Sequence, residues 1–292
     1  MTWPLARHVS TVLPGPSDPQ LQAWVLAWDA YALRSDPLGV WQSPLFYPYP
    51  DTLAYQDHML VLVLPVAPLL WLGATPVLAL NLLLLASYAL GGLAVYQLAL
   101  ELFAPAEASI TVPHQAAAFV AGVAFTFCAY RMIHIVHVNL LQIFWLVWAL
   151  LFLIRTLRYS RWRDALLFGL FAGLQVANSV YYTFFALAAL GWYVALWAAW
   201  VLWRRVRTGV ALPWHSLAQL AVGGVVAALI GIPFLLPYLR LYQSLAIVRS
   251  PREIDNWSAP LQAYLAVPEF NRLYGERAAF FQASGGEFAL FP

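Results

Sequence analysis

The sequence contains no lysine: all 15 basic residues are arginine, set against 13 acids, and charged residues make up only 10% of the 292. Soluble domains run nearer a quarter charged, so this chain lacks the polar surface to cover a water-soluble fold. The formal net charge of only +2 and the scatter of the arginines exclude the basic footprint of a nucleic-acid-binding protein. Cysteine is reduced to Cys128, inside an apolar run, which excludes an intrachain disulfide framework or a cysteine metal cluster. Met1 to Pro19 carries no apolar core of the kind a signal peptide needs, so targeting is left to later segments.

What is present in excess is apolar sequence, 63% of the residues, with a mean hydropathy of +0.72. A spanning helix needs about 20 largely apolar residues. Apolar runs occur at 58–73, 76–102, 115–131, 138–154, 165–180, 184–203 and 217–239. They predict an all-α, polytopic helical membrane protein with about six or seven transmembrane helices. Three regions follow: a first outer loop over 1–57, a transmembrane domain over 58–239, and an outer segment over 240–292. Orientation comes from arginine. Arg155, Arg158, Arg161 and Arg163 fill one loop and Arg204, Arg205 and Arg207 another, which places both in the cytoplasm. Residues 1–57 set Arg7 and Arg34 against five aspartates, unlike a cytoplasmic flank. Within them Leu21, Trp24, Val25, Trp28 and Tyr31 recur at helical spacing, as in an amphipathic helix lying in the interface. Run 58–73 is only 16 residues long, about 24 Å as a helix, and contains Pro65 and Pro68. It is expected to be a re-entrant or tilted outer-leaflet segment, so that Asp18 and Arg131 face the same compartment.

Chemistry-bearing residues concentrate in three places. Asp18 precedes Pro19 at the start of the interfacial helix; a helix cap and a general base acting on a hydroxyl acceptor both suit it. Arg131, His134 and His137 break an otherwise apolar stretch at three-residue spacing, which directs them to one side of a helix. Ionisable groups at membrane depth are costly. An arginine fork with histidine donors suits a phosphate; snorkelling to the headgroups is the plainer reading, and a metal would need a carboxylate from elsewhere. Asp57 and His58 stand at the mouth of run 58–73, as an interfacial cap or as ligands of a headgroup. Asn178, Tyr181 and Tyr182 sit at an outer turn, lining a cavity or belonging to an aromatic belt.

Ser17-Asp18-Pro19 with Gln22 to Trp28, then Phe46-Tyr47-Pro48-Tyr49-Pro50, Leu53-Ala54-Tyr55 and His58, resembles the first outer loop of bacterial membrane glycosyltransferases of the GT-C superclass, closest to YfhO-like members. Tyr130-Arg131, His134, His137 and Asn139 to Gln142 resembles their second outer loop. Trp257-Ser258-Ala259, Tyr264-Leu265, Tyr274-Gly275 and Glu287 with Leu290 to Pro292 resembles a later outer segment. The resemblance implies a multi-pass enzyme of the bacterial inner membrane that passes a sugar, with inversion, from a polyprenyl-phosphate carrier to an acceptor on the outer face. It implies Asp18 as the catalytic residue, with Arg131, His134, His137, His58 and Asp57 as substrate-binding residues. No metal and no cofactor are implied, the lipid-phosphate-linked sugar being the donor; membrane lipids, that donor and an acceptor of unspecified kind are the expected partners, and nucleic acid is not. Members commonly carry a helix before the first loop and more after the last, so the chain resembles a fragment. A glycine often precedes the loop aspartate, where this sequence has Ser17. A non-enzymatic flippase-like or scaffold protein handling lipid-linked glycans is the alternative.

The arginine loops generate a topological prediction: reporter fusions at Ser160 and Thr208 should read cytoplasmic, and fusions at Asp51 and Asn256 should read outside. A cytoplasmic Asp51 would mean that run 58–73 crosses the membrane.

Overall fold

The computed structural model describes residues 3–103, 109–245, 250–256 and 258. Every regular element among them is helical. After one opening turn, α1 (Trp3–Arg7), the N-terminal region forms a single long helix, α2 (Asp18–Ser35). Pro19 stands in its first turn, where no backbone partner is lost. Ala23, Leu26 and Ala30, spaced at three and four residues, turn one face of α2 into the core, while Leu21 and Tyr31 stay exposed. The proline-rich loop that follows holds only two 3-10 turns, Pro37–Gly39 and Thr52–Tyr55.

Run 58–73 splits into two short helices, α3 (Leu60–Val63) and α4 (Ala67–Trp71), on either side of Pro65. Both of its ends rest on the middle of α2. The Met59 N–H donates to Asp29 Oδ2 at 3.2 Å, and Trp71 Nε1 donates to the Ala30 carbonyl at 2.8 Å. Asp29 and Ala30 are adjacent, so the segment leaves and returns at one level and does not cross.

The passages begin with α5 (Pro76–Phe103). Asn81 Nδ2 donates to Val9 O at 2.8 Å and to Val12 O at 2.7 Å, tying the N-terminal turn to the start of this helix. α6 (Val112–Thr126) returns and is prolonged irregularly through α7 (Ala129–Ile133), a 3-10 turn and α8 (Val138–Leu141). Then come α9 (Phe144–Tyr159), α10 (Trp162–Asn178), α11 (Val180–Thr208), α12 (Trp214–Leu245) and the surface helix α13 (Pro251–Asn256). Five stretches are long and apolar enough to cross a bilayer: Pro76–Phe103, Val112–Val136, Val138–Tyr159, Val180–Thr208 and Trp214–Ser244. α10, at 17 residues, is shorter, but it runs between the same two ends. Ser160 Oγ lies 2.9 Å from Ser216 Oγ at its start, and Asn178 Nδ2 donates to Asn139 O at 3.3 Å at its finish. The chain is therefore an all-α multi-pass membrane protein; among the described residues five helices are long and apolar enough to cross, α10 runs alongside them, and run 58–73 forms no such helix. The third sequence region lies mostly outside the described residues, and α12 extends the transmembrane domain beyond 239.

Small residues set the packing, as expected where lipid competes equally for large apolar side chains. Gly169 and Gly173 of α10 face Gly223 and Gly231 of α12 and the residues around them. A Cβ at Gly173 would come 2.7 Å from Ile230 Cβ, and one at Gly231 2.6 Å from Val176 Cγ1. Phe119 and Val120 of α6, Trp192 of α11 and Leu229 of α12 stay exposed, an apolar surface that suits hydrocarbon and not water. At the arginine-rich end Glu101 accepts from Arg155 Nε at 2.8 Å, Arg158 Nη1 at 2.9 Å and Tyr159 Oη at 2.8 Å, locking α5 to α9.

Asp29 is enclosed, its Oδ1 lacks a partner, and burial pushes its pKa from 3.8 up to about 8. Because the folded pKa is raised, the stability contributed by the neutral carboxyl is complete below the unfolded value and is lost as pH rises through the folded one. The apparent melting temperature in detergent should thus fall between about pH 5 and about pH 8. Asp29→Asn keeps an acceptor for the Met59 N–H and should flatten that slope; an unchanged slope would assign it to another group.

Candidate functional site

The site lies at the end opposite the arginine loops, where α2 meets the irregular stretch between α6 and α9. Ser17 is the N-cap of α2: its carbonyl accepts from the N–H groups of Gln20 and Leu21, and its side chain makes no cap. Asp18 is therefore the first helical residue and not the cap, a correction to one of the two roles that its sequence position suggested. There the helix dipole favours its negative charge, and its carboxylate is free to reach across to His137, whose Nε2 stands 2.7 Å from Asp18 Oδ2. Ser17 adopts φ 68°, a conformation in which glycine is at home.

His137 Nδ1 lies 3.2 Å from His134 Nδ1. The His134 ring packs 4.4 Å from Tyr130, whose hydroxyl meets that of Tyr182 at 2.8 Å. A hydrogen-bonded series thus runs inward from the half-exposed Asp18 through two imidazoles. Behind it, Gln22 acts as a clamp. Its Nε2 donates to Val136 O at 3.2 Å and to Asn139 Oδ1 at 3.3 Å, and its Oε1 accepts from the Val138 N–H at 3.1 Å. The backbone on both sides of His137 is thereby pinned to the first turns of α2. Asn139 passes the connection on by donating to Asp57 Oδ2 at 2.6 Å.

These groups surround a cavity of about 310 Å³, entered from α2 by Asp18 and Gln22, from the loop before α3 by Gln56 and Asp57, and from the other side by His137, Asn139 and Tyr181. Leu21, Val25, Met59 and Leu140 complete its wall. The two carboxyl groups stand in opposite surroundings. Asp18 is half exposed and paired with an imidazole. Asp57 is half-buried, and desolvation pushes its pKa above the usual carboxylate range against the opposing effect of the Asn139 amide. Two carboxyls held in such different environments can divide the roles of base and hydrogen-bond partner.

Of the residues singled out in the sequence, Asp18, Asp57 and His137 meet at this cavity, and Tyr181 joins them. His134 stands behind His137. Arg131 does not reach the cavity. It is 2% exposed, with Nη1 donating to Leu141 O at 3.0 Å and Nη2 to Ser87 O at 2.9 Å, and its guanidinium lies over the rings of Tyr88 and Phe125. The three-residue spacing to His134 failed because the chain is not one helix there: α7 ends at Ile133 and a 3-10 turn follows. His58 is also enclosed, among Trp41, Phe234 and Tyr238, with Nδ1 accepting from the Leu60 N–H at 3.3 Å. No grouping of three or more His, Cys, Asp or Glu side chains with metal-site geometry occurs among the described residues. Glu287 and the later outer segment lie outside the described residues. Sequence reasoning missed Gln22, Gln56 and the role of Asn139. Gln22 had a usable signal, since it stands four residues after Asp18 on the same helix face.

The fold and the site define a class: a multi-pass helical membrane protein with a carboxylate–histidine cavity at the end opposite its arginine loops. No protein-family model, curated protein or solved structure matches the chain.

Arg131 holds two carbonyls at a break between helices, so its removal should act on folding. Arg131→Met, which keeps much of the side-chain volume, leaves both carbonyls unpaired at about 1–3 kcal/mol each. The yield of monodisperse protein should fall sharply, whereas Arg240→Met, at a half-exposed pair with Asp51, should leave it intact. Normal folding of Arg131→Met would show that water or lipid replaces the guanidinium.

Proposed function

We propose that the chain is a membrane glycosyltransferase of the GT-C type, moving a sugar from a polyprenyl-phosphate carrier to an acceptor at the outer face of a bacterial inner membrane. The observation that carries this reading is the Asp18 carboxylate, 2.7 Å from His137 Nε2, at a cavity on the side that the arginine loops leave for the outer face. Transfer with inversion asks little else of a protein than a base and positioning.

In this reading the hydroxyl of the acceptor gives its proton to Asp18 as its oxygen attacks the anomeric carbon. The new carbon–oxygen bond forms on one face of the sugar while the bond to the carrier phosphate breaks on the other. The phosphate leaves with the bonding pair, as polyprenyl phosphate. His137, held by Gln22 through the adjoining backbone, fixes the orientation of the carboxylate. Arg131, spent on backbone carbonyls, has no part in stabilising the leaving phosphate.

Membranes containing the chain should release polyprenyl phosphate from one member of a panel of polyprenyl-phosphate sugars. Asp18→Asn should lower that release by about 10²-fold or more, with little loss of stability because Asp18 caps nothing. Near-normal release by Asp18→Asn would exclude the carboxylate as base. Retention of the lipid-linked sugar with no turnover in the unaltered chain would instead make this a protein that carries or presents lipid-linked glycans.

A further inference from the structure

The cavity is unusual in what it lacks. Among the described residues no arginine lines it, and the one basic side chain that does, His137, is already engaged by Asp18. Against that stand two carboxyl groups and three carboxamides, from Gln22, Gln56 and Asn139. A phosphate placed there would meet carboxylate oxygens and no fork of donors, the reverse of an anion site. Carboxyl and carboxamide groups side by side, with an aromatic ring at the edge, instead match a neutral polyol, whose hydroxyls both donate and accept.

The hydrogen-bond inventory shows which groups are uncommitted. Gln22 spends both ends of its amide on the backbone of 136–138 and on Asn139, and Asn139 spends its own on Gln22 and Asp57. Gln56 Nε2, by contrast, is buried with no partner, although the residue lines the cavity and its carbonyl is anchored by Tyr238 Oη at 2.8 Å. Asp57, next in sequence, receives Asn139 on Oδ2 alone. A buried amide donor without a partner costs about 1–3 kcal/mol. It stands here beside a carboxyl that still has acceptor capacity, on a loop whose backbone is held in place.

We infer that the cavity is a subsite for one neutral sugar ring, in which Gln56 Nε2 donates to a ring hydroxyl and Asp57 accepts from another, and that the phosphate stays outside it. This deepens the transferase reading by assigning the cavity to the sugar and making Gln56 and Asp57 its specificity residues. The volume of about 310 Å³ lies at the small end of ligand pockets, enough for a single ring but not for a sugar with its phosphate and lipid. A site built to pair specific hydroxyls also discriminates strongly against sugars that lack them.

The test uses the full chain in lipid nanodiscs with a panel of methyl glycosides, and inorganic phosphate as the competing probe, read by saturation-transfer NMR. At least one glycoside should bind, and phosphate up to about tenfold higher concentration should not displace it. Asp57→Asn keeps an acceptor for the Asn139 amide, and Gln56→Glu keeps the shape while reversing the hydrogen-bonding character. Each should weaken that glycoside about tenfold or more and change the preference among panel members, whereas Arg240→Met, at a pair with Asp51 away from the cavity lining, should leave glycoside binding in place. Displacement by phosphate, absence of any glycoside binding, or equal small losses across the panel in both variants would overturn the assignment. The two readings fail separately. Glycoside binding without polyprenyl phosphate release keeps the subsite and removes the transferase, and release that is indifferent to Asp57 and Gln56 does the opposite.

Discussion

Backbone at membrane depth must find its hydrogen-bond partners within the protein, because hydrocarbon offers none. The stretch from Thr126 to Phe144 violates helical continuity three times, and the structure around it is organised to answer that debt. Arg131 reaches the carbonyls of Leu141 and Ser87, Gln22 reaches the Val136 carbonyl and the Val138 N–H on either side of His137, and Asn178 closes on the carbonyl of Asn139. Each of these side chains comes from a different part of the chain. The broken stretch is therefore the point at which α2, α5 and α10 are held to one another.

The same constraint explains why a polar cavity exists. Side chains that satisfy irregular backbone are polar, and once gathered they create a place where a polar ligand can be desolvated without meeting lipid. Gln22 and Asn139 serve the backbone first and line the cavity second. Asp18 and His137 are the pair left over, joined across the gap between α2 and the broken segment. Their contact also depends on the re-entrant course of 58–73, which returns to Asp29 and Ala30 and keeps the N-terminal loop on one side.

Burial separates groups that look alike in sequence. Asp18 and Asp57 are both aspartates of the first loop, yet one is half exposed against an imidazole and the other is more deeply set and shifted towards its neutral form. Arg131 and His137 belong to one short polar cluster, yet the first is consumed by structure and the second faces the cavity. Spacing predicts a shared face only where the helix is continuous, and here α7 stops at Ile133.

The sequence by itself determined the membrane class, the helical content, the arginine-rich end and the first-loop helix, because each rests on composition or on a period that local backbone geometry enforces. Pro65 and Pro68 in a run of 16 residues were enough to mark a segment that does not cross. Asp18 and His137 were legible as candidates, since charged or ionisable residues stand out in a chain this poor in them. Their meeting was not, because a separation of 119 residues gives no local rule for a contact of 2.7 Å. Only the tertiary structure decided which polar residues serve the backbone and which face open space. That division depends on where a broken helix leaves its carbonyls, which is set by packing among α2, α5, α9 and α10 and not by spacing along the chain.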